Sequence, residues 1–140
     1  MSIIESVRAY FCTCPYLKDG KMNVDYLGAD PTTYTIDAVP SSGVLKEYTD
    51  GGKLRQFLFV FASREYYGES VLSQLGNSGF YENLAHWIEE QSEEGNLPQL
   101  AENLSPQKIE ILSTGYLFDA DERNARYQMQ CRLIYYEGGI

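Results

Sequence analysis

The feature that most constrains the fold is the last run of the chain. Tyr127, Met129, Cys131, Leu133 and Tyr135 alternate there with Arg126, Gln128, Gln130, Arg132 and Ile134. Side chains along a strand point to opposite faces in turn, so this period of two makes 125–137 a strand with one apolar and one mostly polar face. Such a strand has one wet or partner-facing side. The run 54–63 behaves differently, because Phe57, Phe59 and Phe61 point one way and Leu58, Val60 and Ala62 the other. Both of its faces are apolar, which predicts a central strand covered on two sides.

Around these two runs the chain reads as further strands and two helical regions. Strands are expected over 22–27, 32–39, 44–48 and 108–120, separated by 28–31, 40–43 and Asp50-Gly51-Gly52. Tyr48-Thr49-Asp50-Gly51-Gly52-Lys53 reads as a hairpin, since its glycines supply the positive φ that tight antiparallel turns require. Ser2-Ile3-Ile4-Glu5 is a capping box that opens a helix. Ile3, Ile4, Val7, Tyr10 and Phe11 form its apolar stripe, Cys12 and Cys14 read as the buried end of that stripe, and Pro15 marks the stop. A short helix over 69–75 is expected to break at Gly76-Asn77-Ser78-Gly79. A longer helix over 80–91 follows, with Phe80, Leu84, Trp87 and Ile88 on one side, and Gly95-Asn96-Leu97-Pro98 ends it. Residues 98–106 read as loop, and 121–124 as the turn between the last two strands. The expected fold class is α+β: a largely antiparallel sheet with an N-terminal helix and a central helical segment packed on it.

At 140 residues the chain has room for one core, so 1–140 is read as a single domain. Its 20 acids against 11 bases give a net charge of -9, which repels phosphate backbones and anionic membranes and argues against electrostatic DNA binding. No run approaches the ~20 apolar residues of a bilayer crossing, and no secretory signal opens the chain, so it is expected to stay in the cytoplasm. Three cysteines without an export signal are expected to be reduced thiols.

The residues that carry chemistry do not converge on a motif. His86, the single histidine, has Asn83 and Glu90 as helical neighbours but no nucleophile or metal motif beside it. An acyltransferase of the chloramphenicol-modifying type needs His-x-x-x-Asp-Gly, whereas His86 is followed by Trp87-Ile88-Glu89-Glu90-Gln91. Cys12 and Cys14 are too close for the usual zinc spacing and have no second pair downstream. Gly76-Asn77-Ser78-Gly79 lacks the lysine of a phosphate cradle. No catalytic residue, metal or cofactor is expected. What the residues favour is contact with protein: Tyr66, Tyr67 and the polar strand face of Arg126, Gln128, Gln130 and Arg132 are interface candidates.

Several stretches also occur together in a telling order: Cys14-Pro15-Tyr16-Leu17, Val24-Asp25-Tyr26-Leu27-Gly28, Tyr34-Thr35-Ile36-Asp37, Tyr48-Thr49-Asp50-Gly51-Gly52 and Arg55-Gln56-Phe57-Leu58-Phe59 with Ala62-Ser63-Arg64-Glu65. They continue through Asn77-Ser78-Gly79-Phe80-Tyr81-Glu82, Trp87-Ile88-Glu89, Gly95-Asn96-Leu97-Pro98 and Tyr127-Gln128-Met129-Gln130-Cys131. In this order they resemble the small minor capsid proteins of tailed phages of Gram-positive bacteria, in the tail-terminator group, over nearly the whole chain. The resemblance implies a structural subunit without catalysis. Copies of it assemble as a ring, usually a hexamer, on the tail tube and present a face to the head connector. Localisation in the virion tail, after assembly in the host cytoplasm, follows from the same likeness. A ring through which DNA slides should not grip phosphates, so Glu89, Glu90, Glu93, Glu94, Asp119, Asp121 and Glu122 are acidic lumen candidates. The rival readings are a head-tail connector or neck protein, a small transferase using His86 or Cys12, and a small-molecule binding module of the host.

Overall fold

The computed structural model describes residues 2–17, 22–24, 33–41, 43–66, 71–113, 115–120 and 124–138. Among them are two helices and seven strands, in the order α1 (Ile3–Phe11), β1 (Met22–Val24), β2 (Thr33–Val39), β3 (Val44–Glu47), β4 (Lys53–Tyr66), α2 (Val71–Glu94), β5 (Leu104–Ile111), β6 (Tyr116–Ala120) and β7 (Asn124–Glu137). The fold is α+β, with both helices on one face of one sheet.

Two strands of 14 residues, β4 and β7, form the spine of the sheet and pair antiparallel along their whole length, from Lys53 opposite Glu137 to Tyr66 opposite Asn124. Each is flanked by an interrupted partner. β2 and β3 lie in succession along β4, and β5 and β6 lie in succession along β7, all antiparallel. β1 adds to β2 in parallel. The β3–β4 connection is the expected hairpin: Gly51 sits at φ 91°, the Tyr48 amide donates to Gly52 O at 2.8 Å, and Asp50 Oδ1 accepts from the Gly52 amide at 2.9 Å.

The register stacks one apolar row per strand under the helices. Tyr34 and Ile36 of β2, Phe59 and Phe61 of β4, Tyr127, Met129, Cys131 and Leu133 of β7, and Ile109 of β5 are all buried. Helix α1 opens on Ser2, whose hydroxyl accepts from the Glu5 amide at 3.3 Å and donates to the Glu5 carboxylate at 3.0 Å. It drives Phe11 between the strands and α2: the Phe11 ring stacks on Phe61 at 5.5 Å and meets Phe59 at 5.8 Å and Trp87 at 6.4 Å. Burying a ring of this size contributes roughly 2–3 kcal/mol, so the aromatic layer is the main source of cohesion. Arg8 Nε donates to Met22 O and Tyr10 Oη to Asn96 O, both at 2.9 Å, which ties α1 to β1 and to the segment after α2.

Four expectations change. The helical region is continuous through Gly76-Asn77-Ser78-Gly79, because the stripe of Tyr81, Leu84, Trp87 and Ile88 anchors a helix long enough to carry two glycines at roughly 1 kcal/mol each. It closes at Gly95 (φ 81°), where Gly95 N donates to Ser92 O and Asn96 N to Gln91 O, the Schellman pattern. The single strand expected over 108–120 is two, since β5 starts at Leu104 and the chain steps aside where the Leu112 and Ser113 amides both reach Gln130 O. A Cβ on Gly115 would strike the Tyr81 ring, whose hydroxyl lies 2.7 Å from Ser63 Oγ and donates to Tyr127 O at 3.0 Å. Cys14 is buried but Cys12 is exposed, because α1 ends at Phe11 and the two residues fall on different sides of the turn. Finally, β4 is central in the sheet as expected, and Val60 and Ala62 on its second side are buried, but among the described residues the helices pack on its Phe57, Phe59 and Phe61 side and Leu58 on the other stays partly exposed. The expected strand residues 25–27, the helix start at 69–70 and most of the turn at 121–124 lie outside the described residues.

Candidate protein-docking face

On the helix-free side of the sheet the register brings two polar clusters together with an apolar saddle between them. Thr35 and Asp37 of β2 stand level with Ala62 and Val60 of β4, and these with Gln128 and Gln130 of β7. At that end Arg126 Nη2 lies 3.2 Å from Asp37 Oδ2, while Arg126 Nε donates to Gln128 Oε1 at 3.2 Å. Gln128 Nε2 donates to Tyr116 Oη at 2.6 Å, and Thr35 Oγ1 donates to Asp37 Oδ1 at 2.8 Å. The Arg126 guanidinium also lies 5.3 Å from the centre of the Phe118 ring.

The second cluster sits further along β7. Arg132 reaches Glu110 Oε2 through Nε at 2.7 Å and Nη2 at 2.6 Å, and donates to Gln56 Oε1 from Nη1 at 3.2 Å. Lys108 Nζ lies 2.7 Å from Glu110 Oε1. The Lys108 hydrogen bond and the Arg132 guanidinium hold the Glu110 carboxyl below its usual range. Between the clusters Val39, Leu58, Leu112 and Gln130 surround a shallow hollow of about 100 Å³. Charges held by neighbours lose little side-chain freedom when a partner arrives, which favours docking over wholly flexible charges.

The interface candidates from the sequence are therefore placed unevenly. Arg126, Gln128 and Arg132 share this face but are engaged within the sheet, whereas Gln130 is exposed beside the hollow. Tyr66 ends β4 and its side chain is not among those described; Tyr67 lies outside the described residues. Of the acidic candidates, Glu89, Glu90, Glu93 and Glu94 are exposed on α2. Their end of α2 is where Ser92 Oγ accepts from the Ile109 amide at 3.3 Å. Asp119 belongs to β6, at the other end of β7, so the fold does not bring it to the α2 carboxylates. Asp121 and Glu122 lie outside the described residues. Sequence reasoning missed Asp37, Gln56 and Glu110, which organise the arginines, and the exposed Tyr116-Leu117-Phe118 edge. The edge had a signal, since three large apolar residues in a row depart from the alternation of a solvated strand.

The groups with reactive potential stand apart from one another. His86 is exposed on α2. Burial pushes the Cys14 and Cys131 thiols up, away from the nucleophilic thiolate. Among the described residues no group of three or more His, Cys, Asp or Glu is arranged to hold a metal ion, and no helix is long and apolar enough to cross a membrane. A larger hollow of about 290 Å³ lies beside α1, lined by Ser6, Ala9, Tyr10, Thr13, Leu97, Pro98 and Gln99. Its titratable group, Tyr10, is pushed up to about 12 by burial, with nearby Cys14 adding to the effect, and its hydroxyl is committed to Asn96 O. That lining can hold an apolar group but offers no acid or base poised for proton transfer near neutral pH. No protein-family model and no curated protein matches the chain.

Proposed function

We propose that this chain is a structural virion assembly protein, a tail-terminator or tail-completion subunit that caps the tail tube and provides the head-joining face. The ordered stretches that resemble tail terminators motivate the reading. The observation that carries it is the helix-free sheet face, where held charges flank an apolar hollow and no described element lies over them. A protein that acts by docking needs such a surface, and it needs no bond-making centre.

In the proposed ring, copies of the chain contact one another head to tail, stop tube growth and meet the head connector. The α2 carboxylates Glu89, Glu90, Glu93 and Glu94 fit a surface that DNA passes without being gripped. Electron microscopy of tail-tube protein polymerised with and without the chain tests the reading. Tubes of bounded length with extra density at one end are expected; tubes that grow unregulated at high concentration of the chain would contradict it. Co-purification with heads instead of tails would move the role to the neck.

A further inference from the structure

The outer edge of the sheet beside β7 is made of two strands that treat their free backbone differently. β5 is guarded: Pro106 removes a donor, the register shifts between Pro106 and Lys108, and Lys108 and Glu110 place charges along it. Each of these devices discourages another chain from adding to a sheet. β6 has a register shift between Leu117 and Asp119, but over Tyr116-Leu117-Phe118 it carries neither proline nor charge. Those side chains are 36%, 43% and 58% exposed. Tyr116 lies opposite Gln128 on the helix-free face, Leu117 lies opposite Tyr127 on the other face, and Phe118 covers Arg126. Large apolar groups are thus exposed on both faces of one edge strand. Among the described residues β7 is the only strand that pairs with β6.

We infer that β6 is a self-docking edge: a second copy of this chain adds its own β6 antiparallel about Leu117, continuing the sheet across a twofold axis. The short run is self-complementary in that register. Leu117 meets the second copy's Leu117, and Tyr116 meets the second copy's Phe118, so ring faces ring on one face and Leu faces Leu on the other, the cross-strand pairs that stabilise antiparallel sheets. Asp119 falls opposite Gly115, so no acid faces an acid. The opposite edge is a poorer occupant, because β3 exposes one large apolar residue, Leu45, beside the charged Lys46 and Glu47, and Lys46 already sits over the Tyr48 ring at 5.1 Å. A contact this short buries far less than a standard interface, so the dimer is weak and concentration-dependent. A twofold contact also differs from the head-to-tail contact that closes a ring, and the inference stands apart from the proposed function.

Sedimentation at rising concentration tests it with three proteins: the natural chain, Leu117→Lys and Leu45→Lys. The natural chain and Leu45→Lys are expected to move from the 15.9 kDa of one copy toward twice that mass. Leu117→Lys is expected to stay monomeric with an unchanged unfolding temperature, since the twofold would set two ammonium groups face to face. A natural chain that stays monomeric at millimolar concentration overturns the inference. So does a Leu117→Lys protein that associates like the natural one, or a Leu45→Lys protein that alone loses association. A second variant guards against misfolding: in a Cys12→Ser background, Leu117→Cys treated with a mild oxidant is expected to link into dimers at least about tenfold faster than Leu45→Cys, the self-pairing placing the thiols within disulfide reach. Equal rates would refute the register.

Discussion

On its helix-covered side the sheet presents Phe59, Phe61, Met129 and Leu133 at 1% exposure or less, while the same strands carry Arg126, Gln130, Arg132 and Leu58 on the other side, under no helix. The first side is held by area and packing, which cannot be rearranged without leaving voids. The second is held by ion pairs whose side chains are 24–29% exposed, and such pairs contribute roughly 1 kcal/mol or less each. One side therefore makes most of the fold; on the other Thr35, Val60, Ala62, Gln128 and Ile134 are themselves buried, and the exposed part is Val39, Leu112 and Gln130 beside the hollow.

The sharpest way to break this contrast is Phe61→Ala. The Phe61 ring touches Phe11, Tyr34, Phe80 and Tyr81, so its loss leaves a cavity at the meeting of both helices with the sheet. Urea unfolding is expected to show a loss of about 3–5 kcal/mol. By contrast, Arg132→Met is expected to cost about 1 kcal/mol or less, because Glu110 keeps Lys108 and reaches water. Similar losses for the two variants would erase the distinction between the faces.

Titration separates the faces with opposite signs. Burial raises the Tyr10, Cys14, Cys131 and Tyr135 values on the helix-covered side, so the neutral forms are favoured in the folded state. Their contribution is complete below the unfolded values and is lost as pH rises, starting near the unfolded thiol value of about 8.5. Glu110 on the free face is lowered instead. Its contribution is present above the unfolded carboxyl value of about 4.3 and is lost as pH falls through the folded value. Urea midpoints across the pH range are expected to fall on both flanks. Cys131→Ala should flatten the alkaline flank, and Glu110→Gln the acid one.

The smallest expected effect is a gain. A Cβ on Gly79 would meet nothing within 4 Å, and the residue lies inside α2, so Gly79→Ala is expected to stabilise by about 0.5–1 kcal/mol in thermal unfolding. No gain would mean that α2 is strained there.

How far the sequence foretold these features follows from how local each one is. The cap at Ser2, the Asp50-Gly51-Gly52 turn and the β7 alternation depend on neighbours a few residues away, and all three were readable. The continuity of α2 was not, because the cost of Gly76 and Gly79 is local while the compensating burial of Tyr81, Leu84 and Ile88 against distant strands is not. The break between β5 and β6 was hidden for the same reason: Gly115 yields to the Tyr81 ring, a contact between residues far apart in the chain. On the candidate face the arginines were readable as outward side chains, but their partners Asp37 and Glu110 come from other strands, and only the register discloses them.

The central claim is that the exposed part of the helix-free face serves docking and is not needed for folding. Val39→Asp combined with Leu112→Asp places two carboxylates beside the hollow, on side chains that are 38% and 48% exposed. Measured in the tail-tube polymerisation assay, this double variant is predicted to unfold at the temperature of the natural chain yet leave tube length unregulated. A variant that still bounds tube length at the natural concentration, or one that no longer folds, would contradict the account.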